Sequence, residues 1–138
     1  MANRYNNQFQ LTQEKRVTSI YAKVAFGATG APTLSASNSK GVLSVTRNSA
    51  GTYTFVFGSG SGVSLQKDSY VKLLSAGVVL NSGASAPAAP GMYIKADNTS
   101  SNSQASIQIV MNAAGTATDP ASGEIGYFQF IFGDSVAP

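Results

Sequence analysis

The chain has 138 residues, a length that argues for one domain with a hydrophobic core large enough to hold it together. It contains no cysteine, no histidine and no tryptophan. That excludes disulfides, thiolate metal sites and triads of the Ser-His-Asp kind, and it removes the side chain that most readily moves protons near neutral pH. Only 11% of residues are charged, against about 25% in an average soluble domain. Low charge suits a molecule whose surface is largely pressed against partners, because desolvating ions is costly. The net charge of +3 is unevenly placed: Arg4, Lys15, Arg16, Lys23, Lys40 and Arg47 face one acid, Glu14, while after Arg47 the acids outnumber the lysines. The basic first third therefore suits an acidic partner.

Residues 1–14, MANRYNNQFQLTQE, are rich in Asn and Gln with isolated Tyr5, Phe9 and Leu11. They read as an extended N-terminal arm that orders on a partner or on a neighbouring subunit, ahead of a single β-sandwich domain over residues 15–138. The arm has no apolar run of the signal-peptide kind, and no stretch of the chain approaches the length of a transmembrane helix, so synthesis in the cytoplasm without a membrane partner is expected. From Arg16 to Phe26 the chain alternates, with Thr18, Ile20, Ala22, Val24 and Phe26 on one face, which predicts a half-buried strand. A turn at Gly27–Pro32, a short strand near Thr33–Ala36 and a polar turn at Ser37–Gly41 follow.

Val42–Arg47 and Thr52–Phe57 flank the turn Asn48-Ser49-Ala50-Gly51 and predict a β-hairpin with Tyr53, Phe55 and Phe57 on one face. Gly58–Gly62 (GSGSG) reads as a flexible loop. Ser64–Leu74 fits either a helical turn or the start of a strand, and Val78–Leu80 reads as a strand end. Residues 81–90, NSGASAPAAP, form a long surface loop. Strands are expected at Gly91–Ala96, Ala105–Asn112 and Ile125–Phe132, separated by a polar loop over Asp97–Ser103 and a long loop over Ala113–Glu124. The last strand carries Phe128, Phe130 and Phe132 on one face and Tyr127, Gln129 and Ile131 on the other. A strand apolar on both faces is either central in a sandwich or pressed against a partner. Seven or eight short strands spaced by turns, with no long helix, predict an all-β domain, a β-sandwich or jelly roll.

No motif for catalysis emerges. The GSGSG run lacks the Gly-Lys-Ser/Thr ending of a phosphate loop. Asn98-Thr99-Ser100 matches a glycosylation sequon but reads as a polar loop tip. Asp97, Asp119 and Glu124 are the carboxylates that a glycoside hydrolase would need, yet each sits in a turn context where acids bond locally. Tyr5, Phe9 and Tyr21 interleave with Arg4, Lys15, Arg16 and Lys23, but the charge is too spread out for a nucleic-acid footprint, so protein contact is the preferred reading. No catalytic residue, metal site or cofactor is expected, and the chain is read as a non-enzyme.

Several segments carry a resemblance: Ser39-Lys40-Gly41-Val42-Leu43-Ser44-Val45-Thr46-Arg47, Ala50-Gly51-Thr52-Tyr53-Thr54-Phe55, Tyr70-Val71-Lys72-Leu73-Leu74, Ala117-Thr118-Asp119-Pro120-Ala121-Ser122-Gly123 and Asp134-Ser135-Val136. Over residues 16–137 the chain resembles the capsid cement (decoration) proteins of short-tailed bacteriophages. The resemblance implies a β-sandwich or jelly roll and no catalytic residues. It also implies a homodimer or other small oligomer, a trimer included, on the outside of an icosahedral virion, bridging major capsid protein subunits. Charge placement, independently of the resemblance, nominates Arg4, Tyr5, Phe9, Lys15 and Arg16 as the capsid-binding residues. The competing expectation is a phage tail, fibre or host-surface (carbohydrate) binding module acting through loops 81–90 and 113–124.

Overall fold

A computed structural model describes residues 17–59, 63–64, 71–83, 85–99 and 105–134. The expected arm over residues 1–14 lies outside them. Among the described residues there is no α-helix, and ten strands run in chain order as β1 (Val17–Phe26), β2 (Pro32–Leu34), β3 (Val42–Ser49), β4 (Thr52–Ser59), β5 (Val63–Ser64), β6 (Val71–Asn81), β7 (Gly91–Asp97), β8 (Ser106–Ala113), β9 (Thr116–Ala117) and β10 (Ile125–Asp134). They form two antiparallel sheets. One has four strands in the order β2-β1-β10-β6. The other has six, built on β3-β4-β8-β7 with β5 added to β4 and β9 to β8. The chain alternates between the sheets: β1 and β2, then β3 to β5 in the other, back for β6, across for β7 to β9, and back for β10.

The core follows from alternation. In the four-stranded sheet Ile20, Ala22, Val24 and Phe26 of β1 and Phe128, Phe130 and Phe132 of β10 point inward. In the six-stranded sheet Tyr53, Phe55 and Phe57 of β4 and Ile107, Ile109 and Met111 of β8 do the same. The two phenylalanine rows interlock. Phe55 lies against Phe128 and Phe130 at ring separations of 4.7 and 5.2 Å, and Phe57 against Phe130 and Phe132 at 5.0 and 4.9 Å. Edge-to-face and tilted pairs of this kind add to the burial term of large rings. Gly126 makes room for them, because a Cβ there would run into the rings of Phe128 and Phe26.

Three local expectations change. The ambiguous stretch Ser64–Leu74 and the strand end at Val78–Leu80 belong, from Val71 onward, to one long strand, β6. Its period is broken by a bulge: Ile131 pairs Ser75 and Phe132 pairs Leu73, leaving Leu74 as the extra residue. Gly58 and Ser59, expected in the GSGSG loop, belong instead to β4 and pair with β5. The long loop after β8 starts with a small hairpin, where Ala114 and Gly115 take positive φ and bring β9 back along β8. The hairpin of β3 and β4 closes on Ala50 and Gly51, with Gly51 at φ 66°.

Candidate functional site

β10 is central in its sheet, flanked by β1 and β6. One face of it is sealed by the aromatic core. The other is largely open to solvent, and there the alternation that buries the phenylalanines brings a second set of side chains to the surface. Cross-strand pairing arranges them in rows. Tyr21, Gln129 and Gly77 make one row, and Lys23, Tyr127 and Val79 the next; Ser19, Ile131 and Ser75 lie on one side of these and Ala25, Ile125 and Asn81 on the other. Tyr21 is 49%, Tyr127 44% and Val79 70% exposed. Leu74, bulged out of β6, is also exposed and lies over Gly133. The result is a broad, shallow surface with exposed aromatic and aliphatic groups, of the sort that marks an interaction site.

Two lysines flank its tyrosines. The Lys23 ammonium lies 5.8 Å from the centre of the Tyr127 ring, a cation–π contact. Lys40 exchanges backbone hydrogen bonds with Tyr21, its N–H donating to the Tyr21 carbonyl at 2.8 Å and accepting one in return through its own carbonyl at 3.2 Å. Directly opposed residues share a face, so Lys40 flanks Tyr21 as Lys23 flanks Tyr127. Tyrosine beside lysine suits a partner surface that is acidic and partly apolar.

The three carboxylates weighed from the sequence are all engaged in structural bonds. Asp97 accepts from the Thr99 N–H at 3.0 Å and the Thr99 hydroxyl at 2.6 Å, and Thr99 is buried. Glu124, 5% exposed, accepts from the Ala88 N–H at 2.9 Å and the Ala121 N–H at 2.8 Å, tying loop 81–90 to the start of β10. Asp119 is bound in a network the sequence did not indicate. Arg47 donates Nε and Nη2 to its two oxygens at 3.0 and 2.7 Å, the Gly51 N–H donates at 2.8 Å, and the Tyr53 hydroxyl lies 2.9 Å from both Asp119 Oδ1 and the Gly30 carbonyl. The guanidinium, more than any other group, holds the Asp119 carboxyl down at about 2. Burial, reinforced by the bond to Asp119, pushes the Tyr53 phenol well above its ordinary value. Arg47 and Tyr53 oppose each other in the β3–β4 hairpin, and Asp119 joins them from the loop ahead of β10, which nothing in its spacing from them signals.

The aromatic sets Tyr53, Phe55, Phe57 and Phe128, Phe130, Phe132 are buried, so none is offered to a ligand. Arg4, Tyr5, Phe9, Lys15 and Arg16 lie outside the described residues. Among the described residues no group of three or more His, Cys, Asp or Glu side chains comes together. Compared with protein-family models, with curated proteins and with solved structures, the chain matches none.

Proposed function

We propose that this chain is a structural virion protein that sits on the outside of an icosahedral bacteriophage capsid and cements neighbouring major capsid subunits. The observation that carries the reading is the uncovered face of the four-stranded sheet, where Tyr21, Tyr127, Val79 and Leu74 stand exposed beside Lys23 on a rigid aromatic core. A stiff platform with few ions and broad apolar contact suits a protein that adheres, and the resemblance of its turn and strand segments to phage cement proteins supplies the particular partner. Binding only to the assembled shell would stabilise that shell by mass action, and many copies would multiply modest contacts. The same reading includes the jelly-roll class of sandwich, a small oligomer, and an N-terminal arm whose Arg4, Tyr5, Phe9, Lys15 and Arg16 meet the capsid. The test compares particles that carry the chain with particles that lack it under heat or chelator stress. Earlier rupture of the depleted particles supports the reading; equal robustness overturns it.

A second reading is favoured by one observation, the two tyrosine rings exposed on one face of the four-stranded sheet, because sugar faces stack on such rings. In that case the chain would be a tail, fibre or host-surface binding module. A handful of copies per virion and retention on host glycans would select this reading over cement.

A further inference from the structure

β6 stands at the margin of the four-stranded sheet, and no described residue pairs with its far side. A free edge presents unpaired N–H and C=O groups, which proteins normally blunt with charge, proline, bulges or short length. The strands at the other three margins are blunted in this way, although Val17–Ile20 of β1 extend beyond the reach of β2. β2 is three residues long and begins with Pro32, which has no N–H. β3 carries Arg47 and two breaks in register. β7 carries Lys95 at its break between Ile94 and Ala96, and ends on Asp97. β6 is different: beyond the bulge at Leu74 its register is unbroken from Ser75 to Asn81, and SAGVVLN contains no charge.

That segment is also complementary to itself. A strand paired antiparallel with its own copy places residues equally distant from the axis opposite each other. With the axis at Val78, Gly77 meets Val79, Ala76 meets Leu80 and Ser75 meets Asn81. Each pair sets a small side chain against a larger one. On the uncovered face the fit is specific: Val79 projects with 70% exposure, and a Cβ on Gly77 would meet nothing within 4 Å. An axis at Val79 would set Val78 against Leu80, two large side chains, and one at Gly77 would set Gly77 against itself, so that Val79 no longer meets the open space there. No like charges are brought together along this segment, although each chain carries a net +3.

We propose that the outer edge of β6 is a self-association surface, on which a second copy of this chain adds its β6 antiparallel about a two-fold axis at Val78. The product is a continuous eight-stranded sheet whose two exposed tyrosine–lysine faces lie side by side, doubling the area offered to one partner surface. Self-association is read on the isolated chain, so its failure is distinct from a failure to bind capsids.

Analytical ultracentrifugation of the purified full chain should find a dimer of two 14.2 kDa subunits. Gly77→Val fills the space that Val79 of the other copy needs, and should weaken the dimer by at least about tenfold while leaving the melting temperature of the single chain unchanged. The double variant Gly77→Val with Val79→Gly exchanges knob and hole and should restore the dimer. Val78→Cys, in a chain with no cysteine of its own, sets two thiols across the axis and should give a disulfide-linked dimer on mild oxidation, where Ser44→Cys on β3 should not. A monomeric native chain, a Gly77→Val dimer of native strength, or equal cross-linking of both cysteine variants would overturn the proposal. A monomer whose capsid binding is lost in Gly77→Val would also overturn it, assigning the edge to a strand of the partner instead.

Discussion

Arg47 on β3 grips Asp119, 72 residues further along the chain, through two hydrogen bonds of 3.0 and 2.7 Å. The pair pins the loop ahead of β10 to the β3–β4 hairpin and so joins the two sheets at one end. Because the folded carboxyl titrates at about 2 rather than its ordinary 3.8, its contribution is present above 3.8 and is lost as pH falls from there through about 2. The pair is partly open to solvent, so screening keeps that contribution small. Asp119→Asn should lower the melting temperature at neutral pH and flatten the acid limb of stability against pH. Thermal melts from neutral pH downward check both effects.

The two faces of β10 should respond oppositely to truncation. Phe130 is fully buried between Phe55 and Phe57, so Phe130→Ala should cost about 3–5 kcal/mol in urea unfolding. Tyr127 is exposed on the opposite face, and Tyr127→Ala should cost under about 1 kcal/mol. Equal losses at the two positions would contradict the assignment of inner and outer faces.

Two glycines make a similar contrast. Gly51 has φ 66°, and a Cβ there would lie 2.5 Å from both the Met111 carbonyl oxygen and the Thr118 nitrogen. Backbone strain alone should make Gly51→Ala destabilising by about 1–3 kcal/mol, with the overlap adding to that. Gly77→Ala meets nothing within its own chain, so at concentrations where the chain is monomeric it should be neutral or stabilising by about 0.5 kcal/mol. Denaturation midpoints of the two variants decide the matter.

Glu124 holds two backbone amides from inside the fold. Glu124→Ala leaves the Ala88 and Ala121 N–H groups without their acceptor, at a cost of about 1–3 kcal/mol. Hydrogen exchange at those two amides should accelerate while that of the β1–β10 ladder holds.

The parts of this fold that could be read from the sequence were those governed by period two. Ile20–Phe26, Tyr53–Phe57 and the phenylalanines of the last strand alternate so strictly that strand, face and core follow together. β6 was obscured because Leu73, Leu74, Val78, Val79 and Leu80 load both faces, and the bulge at Leu74 shifts their phase. Asp119 has the local look of a turn residue, but its partner Arg47 stands on β3, 72 residues earlier, a relation no local pattern encodes. The surface reading was half legible: the two apolar faces of Ile125–Phe132 flagged the strand, but only its pairing with β1 and β6 placed Tyr127 beside Lys23 and Val79 and kept Tyr21 on the same face.

The most direct test of the adhesive account is to add purified chain to phage shells stripped of it and count the copies bound, comparing the native chain with a Tyr21→Ser, Tyr127→Ser variant that melts at the native temperature. The native chain should bind in a fixed ratio to the major capsid protein and restore resistance to heat, and the variant should do neither. Binding by the variant at the native ratio, or absence of binding by the native chain, would contradict the account.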